Sequence, residues 1–149
     1  MIAPLTLIRR TIGDTSGSIA VEFGLLGPLA IAMMLGVLQV GIAMQSYNAI
    51  RNISADVARN ATVQYQTNNT LTNTQIEQQA LATAVNPPYL LMQDELDAVV
   101  IDAGTQRVTG AIEKTITITY QIPSILTLLG YSSPSISFSR PIFLFDNAA

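Results

Sequence analysis

The longest apolar stretch of the chain runs from Phe23 to Met44, with Gln39 as its one polar side chain and no charged residue. A helix of this length spans about 33 Å, close to the ~30 Å hydrocarbon core of a bilayer. A helix in the core of a soluble protein would show a polar face, and this stretch has none. The pattern predicts a single transmembrane helix within a membrane-spanning segment, 18–44.

A cleaved secretory signal is the alternative reading of this stretch, since Arg9 and Arg10 lie upstream. The apolar region of such a signal is about 7 to 15 residues long and ends at small residues. Here the run is longer, and its A-x-A pattern, Ala30 to Ala32, lies in its middle. Two Arg residues lie close to each end of the run, so charge leaves the orientation of the helix open.

The residues after this run keep a helical period but change to an amphipathic pattern. Apolar residues recur at spacings of three and four, while Asn and Asp occupy another face; the apolar positions are Ile50, Ile53, Val57 and Ala61. This spacing predicts that the helix continues through residues 45–65. A polar segment, 66–73, then predicts a linker.

A second, shorter helix is predicted at 74–85. Thr74 and Glu77 have the spacing of a capping box, which would begin the helix. Its apolar face is formed by Ile76, Ala80, Leu81 and Ala84. Pro87-Pro88 would end it, because proline cannot continue a helix.

Alternation of apolar and polar residues predicts a sheet within residues 96–144. The three strands are Leu96–Asp102, Ala111–Gln121 and Ser135–Leu144, with Gly104 and Gly110 marking turns between the first two. The second strand is expected to have one apolar face (Ile112, Ile116, Ile118, Tyr120) and one polar face (Glu113, Thr115, Thr117, Thr119). The third is expected to have Ile136, Phe138, Ile142 and Leu144 on one side. We expect an α+β fold in which a small antiparallel sheet packs on the amphipathic helix.

Composition limits the possible functions. Only 11% of the 149 residues are charged, against roughly 25% in a typical soluble domain. The net charge of −3, without a Lys/Arg cluster, argues against nucleic acid as a partner. The chain has no Cys and no His, which excludes zinc fingers, disulfide scaffolds and histidine-dependent nucleophilic catalysis. We expect a structural part with no metal, no cofactor and no enzymatic activity.

Small residues recur every four positions along the apolar helix, at Ala20, Gly24, Pro28, Ala32 and Gly36. A row of this kind lets a second helix approach closely, so we interpret it as a packing surface. The alternative is that Gly is simply common in membrane helices. Pro28 is expected to loosen or kink the helix, because it removes a backbone donor.

Glu22 is an acidic residue at the N-terminal edge of the apolar run. A carboxylate that enters a membrane helix is costly and usually needs a partner. Two interpretations remain open. Glu22 is either an interfacial residue favoured by the helix N-terminus, or an assembly residue that neutralises an amine in a low-dielectric setting.

The sequence around Glu22 resembles a known processing site. Gly17, followed by Ser18-Ile19-Ala20-Val21 and then Glu22-Phe23, resembles the site of type IV prepilins. The version here looks most like the TadE-like pseudopilins of the tight-adherence (Flp, type IVc) pilus system, whose pattern Ala20–Phe23 and Pro28 match. Ala58-Arg59 and the C-terminal strands also resemble that family.

The resemblance implies a processed membrane protein. Residues 1–17 would be a leader that a prepilin peptidase removes between Gly17 and Ser18, leaving the new amine one helical turn before Glu22. Residues 45–149 would be an extracytoplasmic domain, with the helix anchored in the bacterial inner membrane. The implied fold is pilin-like.

The implied function is that of a minor pilin, used to assemble a tight-adherence pilus for adhesion or biofilm formation. The partners would be the peptidase, other pseudopilins, the major Flp pilin, the inner-membrane pilus platform and membrane lipid. The alternative is an uncleaved single-pass protein whose outer domain binds a periplasmic or extracellular partner. A third hypothesis, an exported enzyme with a carboxylate site, requires two carboxylates to converge in a pocket. Asp94, Glu95 and Asp97 are interpreted as a solvated turn rather than a calcium site.

Overall fold

The computed structural model describes residues 16–125, 127, 130 and 132–145. Of the predicted leader, residues 1–15 therefore lie outside the described residues. The chain divides into two units, Met1–Leu38 and Gln39–Ala149. One helix, α1 (Ser16–Gln66), contains residues of both.

The described part of the first unit is helix alone. α1 continues through Pro28, so the loss of one backbone donor does not end it. Such prolines are tolerated in membrane helices, where local adjustments satisfy the freed backbone group.

The second unit contains the C-terminal part of α1, a helix α2 (Asn73–Val85) and three strands. The strands are β1 (Leu96–Asp102), β2 (Ala111–Gln121) and β3 (Ser135–Phe145), and a 3₁₀ turn at Gln93–Glu95 leads into β1. They form one antiparallel sheet in the order β1-β2-β3, so each strand pairs with its neighbour in sequence.

The core of the second unit joins both helices to one face of the sheet. From α1, the predicted face Ile50, Ile53, Val57 and Ala61 is at most 2% exposed. It packs in one cluster with Ile76, Ala80 and Ala84 of α2 and with apolar residues of all three strands. The predicted packing of the sheet on the amphipathic helix is therefore confirmed.

The start of α2 differs from the predicted capping box at Thr74 and Glu77. Thr72 is the N-cap: its hydroxyl accepts from the Gln75 backbone N–H, and the Gln75 side chain accepts from the Thr72 N–H at 2.8 Å. The prediction was wrong by two residues, because the Gln side chain closes the box as well as Glu does. Glu77 instead accepts from the backbone N–H of Val100 in β1 at 2.8 Å. It thereby satisfies a donor on a strand that pairs on one side only.

At one end of β2, burial does not follow the predicted apolar and polar faces. Ile116, Ile118 and Tyr120 are buried as expected, but Ile112 is 40% exposed and Glu113 only 3%. Glu113 keeps its predicted place on the face of Thr115, Thr117 and Thr119, and it is buried because Arg107, from the β1–β2 loop, covers its carboxylate.

The fold class predicted from the sequence is confirmed: a long N-terminal apolar helix, a second helix and a small antiparallel sheet form an α+β fold. β2 is the central strand. Val100 and Arg140 lie opposite Ile116 on its two sides.

Candidate functional site

The N-terminal part of α1 presents an apolar surface that the described part of the chain does not cover. Large side chains between Ile19 and Met44 are mostly more than half exposed, reaching 78% at Phe23 and 73% at Val37. Among the described residues, this is the one helix long and apolar enough to cross a membrane, with a mean hydropathy of 2.1 in its most apolar window. Removing such a surface from water is strongly favourable, which suits burial in lipid or among other helices.

The predicted processing residues lie at the start of this helix. Gly17 and Ser18 are in the first turn of α1, and Glu22 and Phe23 follow in the second. Ser18 and Glu22 are separated by four positions, which is about one turn and a rise of roughly 6 Å. The helix therefore places the backbone of Ser18 about one turn before Glu22.

The predicted packing row contains glycines whose small size the chain itself does not require. A Cβ atom placed on Gly24 or Gly36 would meet no atom within 4 Å. Successive members of a four-residue row are rotated by about 40° around a helix with 3.6 residues per turn. The row is therefore an inclined ridge, and a straight partner helix would contact only some of its five members.

Gln39, the polar residue of the apolar run, is bound by the loop that follows β2. Its side-chain Nε2 donates to the carbonyl oxygen of Pro123 at 3.2 Å. Its Oε1 accepts from the backbone N–H of Ile125 at 3.4 Å. From the sequence, Gln39 is only the one polar residue in the apolar run. A lone amide in such a run was the available signal of a specific contact.

Two shallow clefts lie beside the second part of α1. One, of about 290 Å³, is mainly apolar and is lined by Val40, Ala43, Met44, Tyr47, Asn48 and Ile136. At its edge the rings of Tyr47 and Phe138 meet edge-to-face, with centroids 6.0 Å apart. The other, of about 270 Å³, lies between α1 and β3 and has Arg59 and Arg140 in its lining. Neither of these two clefts is lined by Asp or Glu.

In the second unit, the ion pair between Arg107 and Glu113 stabilises the fold. Arg107 donates from Nε to Glu113 at 2.7 Å, its backbone N–H donates to the same carboxylate at 3.1 Å, and its guanidinium lies 5.5 Å from the Phe143 ring centroid. These hydrogen bonds hold the pKa of Glu113 below its usual range and raise that of Arg107. The pair fastens the β1–β2 loop over the sheet.

Two further polar contacts join separate elements. Lys114 donates to Asp102 at 2.7 Å and to the Asn73 side chain at 2.5 Å, and the Lys114 contact lowers the pKa of Asp102. Tyr89 donates to Asp56 at 2.7 Å; burial, followed by this bond, raises the pKa of Tyr89 to about 12. Each contact ties a loop or helix end to its neighbour.

The acidic residues before β1 are not gathered into a ligand set. Within the described part of the chain, no group of three or more acidic side chains is arranged to hold a metal ion. Asp94 is exposed and Glu95 half-buried in the 3₁₀ turn before β1, and Asp97 is exposed within β1.

The comparison with protein families matches one part of the chain. Residues 17–59 match the family model described as TadE-like protein. The match begins at Gly17, at the predicted processing position, ends at Arg59, and lies within α1. It confirms, for this part of the chain, the resemblance to TadE-like proteins found in the sequence. No curated protein and no solved structure matches the chain.

Proposed function

We propose that this chain, whose first helix matches the TadE-like family model, is a minor pilin-like subunit used to assemble a tight-adherence pilus. The observation that carries the proposal is that the family match begins at Gly17, in the first turn of an exposed apolar helix that has Glu22 near its start. A leader glycine, an early carboxylate and a long apolar helix are the parts that such a subunit needs.

In this proposal the N-terminus faces the cytoplasm and residues 45–149 lie in the periplasm of the inner membrane. A prepilin peptidase cuts between Gly17 and Ser18 on the cytoplasmic side. The exposed apolar surface of α1 supports membrane insertion, since its large side chains find little cover within the described chain. The orientation follows from the side on which the peptidase acts.

Glu22 then aids assembly. The α-amine created on Ser18 of an incoming subunit is positively charged at neutral pH, and the carboxylate of Glu22 on a neighbour neutralises it away from water. A pair between subunits brings two opposite charges together in a low-dielectric setting, where their attraction is strong.

The small-residue row is proposed to be the surface on which the helices of other pseudopilins and the major Flp pilin pack. Gly24 and Gly36 have open space around them in the single chain, so a neighbouring backbone can approach there. The inner-membrane platform and lipid would contact the remaining faces. A subunit of this kind supports adhesion or biofilm formation through the filament and catalyses no reaction itself.

Replacement of Glu22 tests the assembly role. We expect Glu22→Ala and Glu22→Gln to leave membrane insertion unchanged and to abolish pilus assembly, because the incoming amine loses its counter-charge. Carbonate extraction measures insertion, and electron microscopy of sheared filaments measures assembly. Glu95→Gln is the matched control, because it removes a carboxylate from the second unit.

The control variant should form normal pili. Normal piliation with both Glu22 variants would contradict the assembly role. Loss of the protein from the membrane would contradict it as well, since Glu22 would then be needed for insertion or folding.

A further inference from the structure

Gln39 lies inside the membrane span that the sequence predicts, which extends to Met44, and a polar residue is unusual there. A primary amide is poorly tolerated in hydrocarbon unless its polar atoms are bonded. Both ends of this amide are bonded to backbone atoms of one loop segment, the Pro123 carbonyl and the Ile125 N–H. Gln39 therefore joins the helix to irregular backbone.

The bonded segment, Ile122–Ile125, follows directly after β2. Ile122 is buried and its N–H donates to the Pro134 carbonyl at 2.8 Å, so the segment is anchored to the far end of the same loop. Ile125 is 38% exposed. Gln39 thus holds this loop beside α1, five positions before the predicted end of the span.

Irregular backbone that faces lipid does not occur within the hydrocarbon region of a bilayer. A loop fixed beside residue 39 must then lie at or beyond the membrane surface. Residues 40–44 belong to the second unit: Ala43 packs against its core, whereas Val40 and Met44 are 60% and 64% exposed. A loop beside residue 39 leaves these exposed residues to the membrane interface rather than to the bilayer core.

We propose that Gln39 is a positioning residue that fixes the depth of the chain in the membrane, with the edge of the hydrocarbon core at Leu38 and the segment Ile122–Ile125 resting on the lipid surface. This inference rests on the membrane insertion proposed above. The twenty residues 19–38 span about 30 Å as a helix, which matches the hydrocarbon thickness.

A shifted span changes the setting of Glu22. With the edge at Leu38 rather than Met44, the opposite edge moves towards residue 19. Glu22 then lies about one turn inside the hydrocarbon instead of at its boundary. Gln39 therefore places the assembly carboxylate at a depth where its charge interactions are strong.

Tryptophan depth measurements test the proposal, because the chain contains no Trp. Single Trp residues are placed at Met34, Val37, Val40 and Met44, each of which is more than half exposed. The full chain is reconstituted in phosphatidylcholine vesicles with lipids brominated at defined acyl-chain positions. We expect acyl-chain quenching at the first two positions and little at the last two.

Gln39→Leu should raise the quenching at Val40 and Met44 to the level at Val37, because the released loop no longer holds these residues out of the bilayer. Gln45→Leu is the matched control: it makes the same change six positions later, at an exposed site, and should leave the profile unchanged. Gln39→Asn, which keeps the amide but shortens its reach, replaces the Leu variant if circular dichroism shows that the latter does not fold.

The outcomes separate this inference from the proposed function. Strong quenching at Val40 and Met44 in the parent chain, or an unchanged profile with Gln39→Leu and Gln39→Asn, overturns the role of Gln39 while leaving insertion intact. An absence of quenching at all four positions overturns insertion itself, and the inference with it.

Discussion

The two units of the chain solve opposite physical problems. In the second unit, apolar side chains such as Ile53 and Ile116 are fully buried, and the buried carboxylate of Glu113 is bonded to Arg107. In the described part of the first unit, Phe23 and its apolar neighbours are exposed, and the glycines face open space. The second unit is stabilised by its own contacts, whereas the first requires lipid or other helices to cover it.

This difference shows where stability and assembly can be separated. Substitutions in the second unit are expected to change the free energy of unfolding. Substitutions in the first are expected to change what the helix associates with, while the fold of the second unit stays intact.

The largest effect is expected from added bulk in the small-residue row. Gly24→Leu should abolish pilus assembly without changing the unfolding of the second unit, because a Cβ at this position meets only open space in the single chain. Gly41→Leu is the matched control: its site is equally open but lies outside the row. Filament counts and urea unfolding in detergent measure the two properties. Equal loss of assembly in both variants would show that the row has no special role.

The next effect is the loss of core packing. Ile116→Ala should destabilise the second unit by about 2–5 kcal/mol, because it removes a fully buried side chain from the centre of the sheet. Ile31→Ala makes the same change at a site that is 57% exposed and should alter unfolding by less than about 0.5 kcal/mol. Urea unfolding followed by circular dichroism gives both values. Similar losses for the two variants would break the distinction between the units.

Acid should weaken the second unit through Glu113. Its pKa is lowered in the folded chain, so its stabilising contribution is present above the usual glutamate pKa and is lost as pH falls through the lowered value. Glu113→Gln should reduce the proton uptake on acid unfolding, and Asp102, whose pKa is also lowered, supplies part of the uptake that remains.

Unfolding free energies measured between pH 7 and pH 2 give the uptake. Arg107→Met removes the group that lowers the pKa of Glu113, so the unfolding free energy should change less steeply over the same pH range. The double variant should lose no more stability than the single variants. Additive losses from the two single substitutions would show that the pair does not act as a unit.

The smallest effect concerns the start of α2. Thr72→Ala should cost about 1 kcal/mol, because its hydroxyl caps the helix. Thr74→Ala removes a hydroxyl from an exposed site, the second residue of α2, and should cost less than about 0.5 kcal/mol. Urea unfolding of the two variants side by side decides which threonine caps the helix. A larger loss of stability with Thr74→Ala would support the cap predicted from the sequence.

Much of the fold was predictable because its periodicity is clear. The spacing of Ile50 to Ala61 predicted the buried face of α1. A short β-branched run predicted the bounds of β1, and alternation predicted those of β2. Glu113 was not predictable in this way. Its burial depends on Arg107, which reaches it from a loop whose path no periodic pattern describes.

The candidate site also contains features that the sequence predicts and a contact that it does not. Gly17, Glu22 and the small-residue row are local patterns, visible in the sequence and held on one helix. The side chain of Gln39 bonds to the backbone carbonyl of Pro123, 84 positions away, and a backbone acceptor leaves no mark in the sequence. Only the fold brings such a pair together.

The most direct test of the central claim is the intact mass and N-terminal sequence of the membrane-extracted chain, produced with and without its prepilin peptidase. The account predicts a chain that begins at Ser18 only when the peptidase is present. A chain that keeps Met1 in both preparations would contradict processing. It would favour an uncleaved membrane anchor, with Glu22 as an interfacial residue.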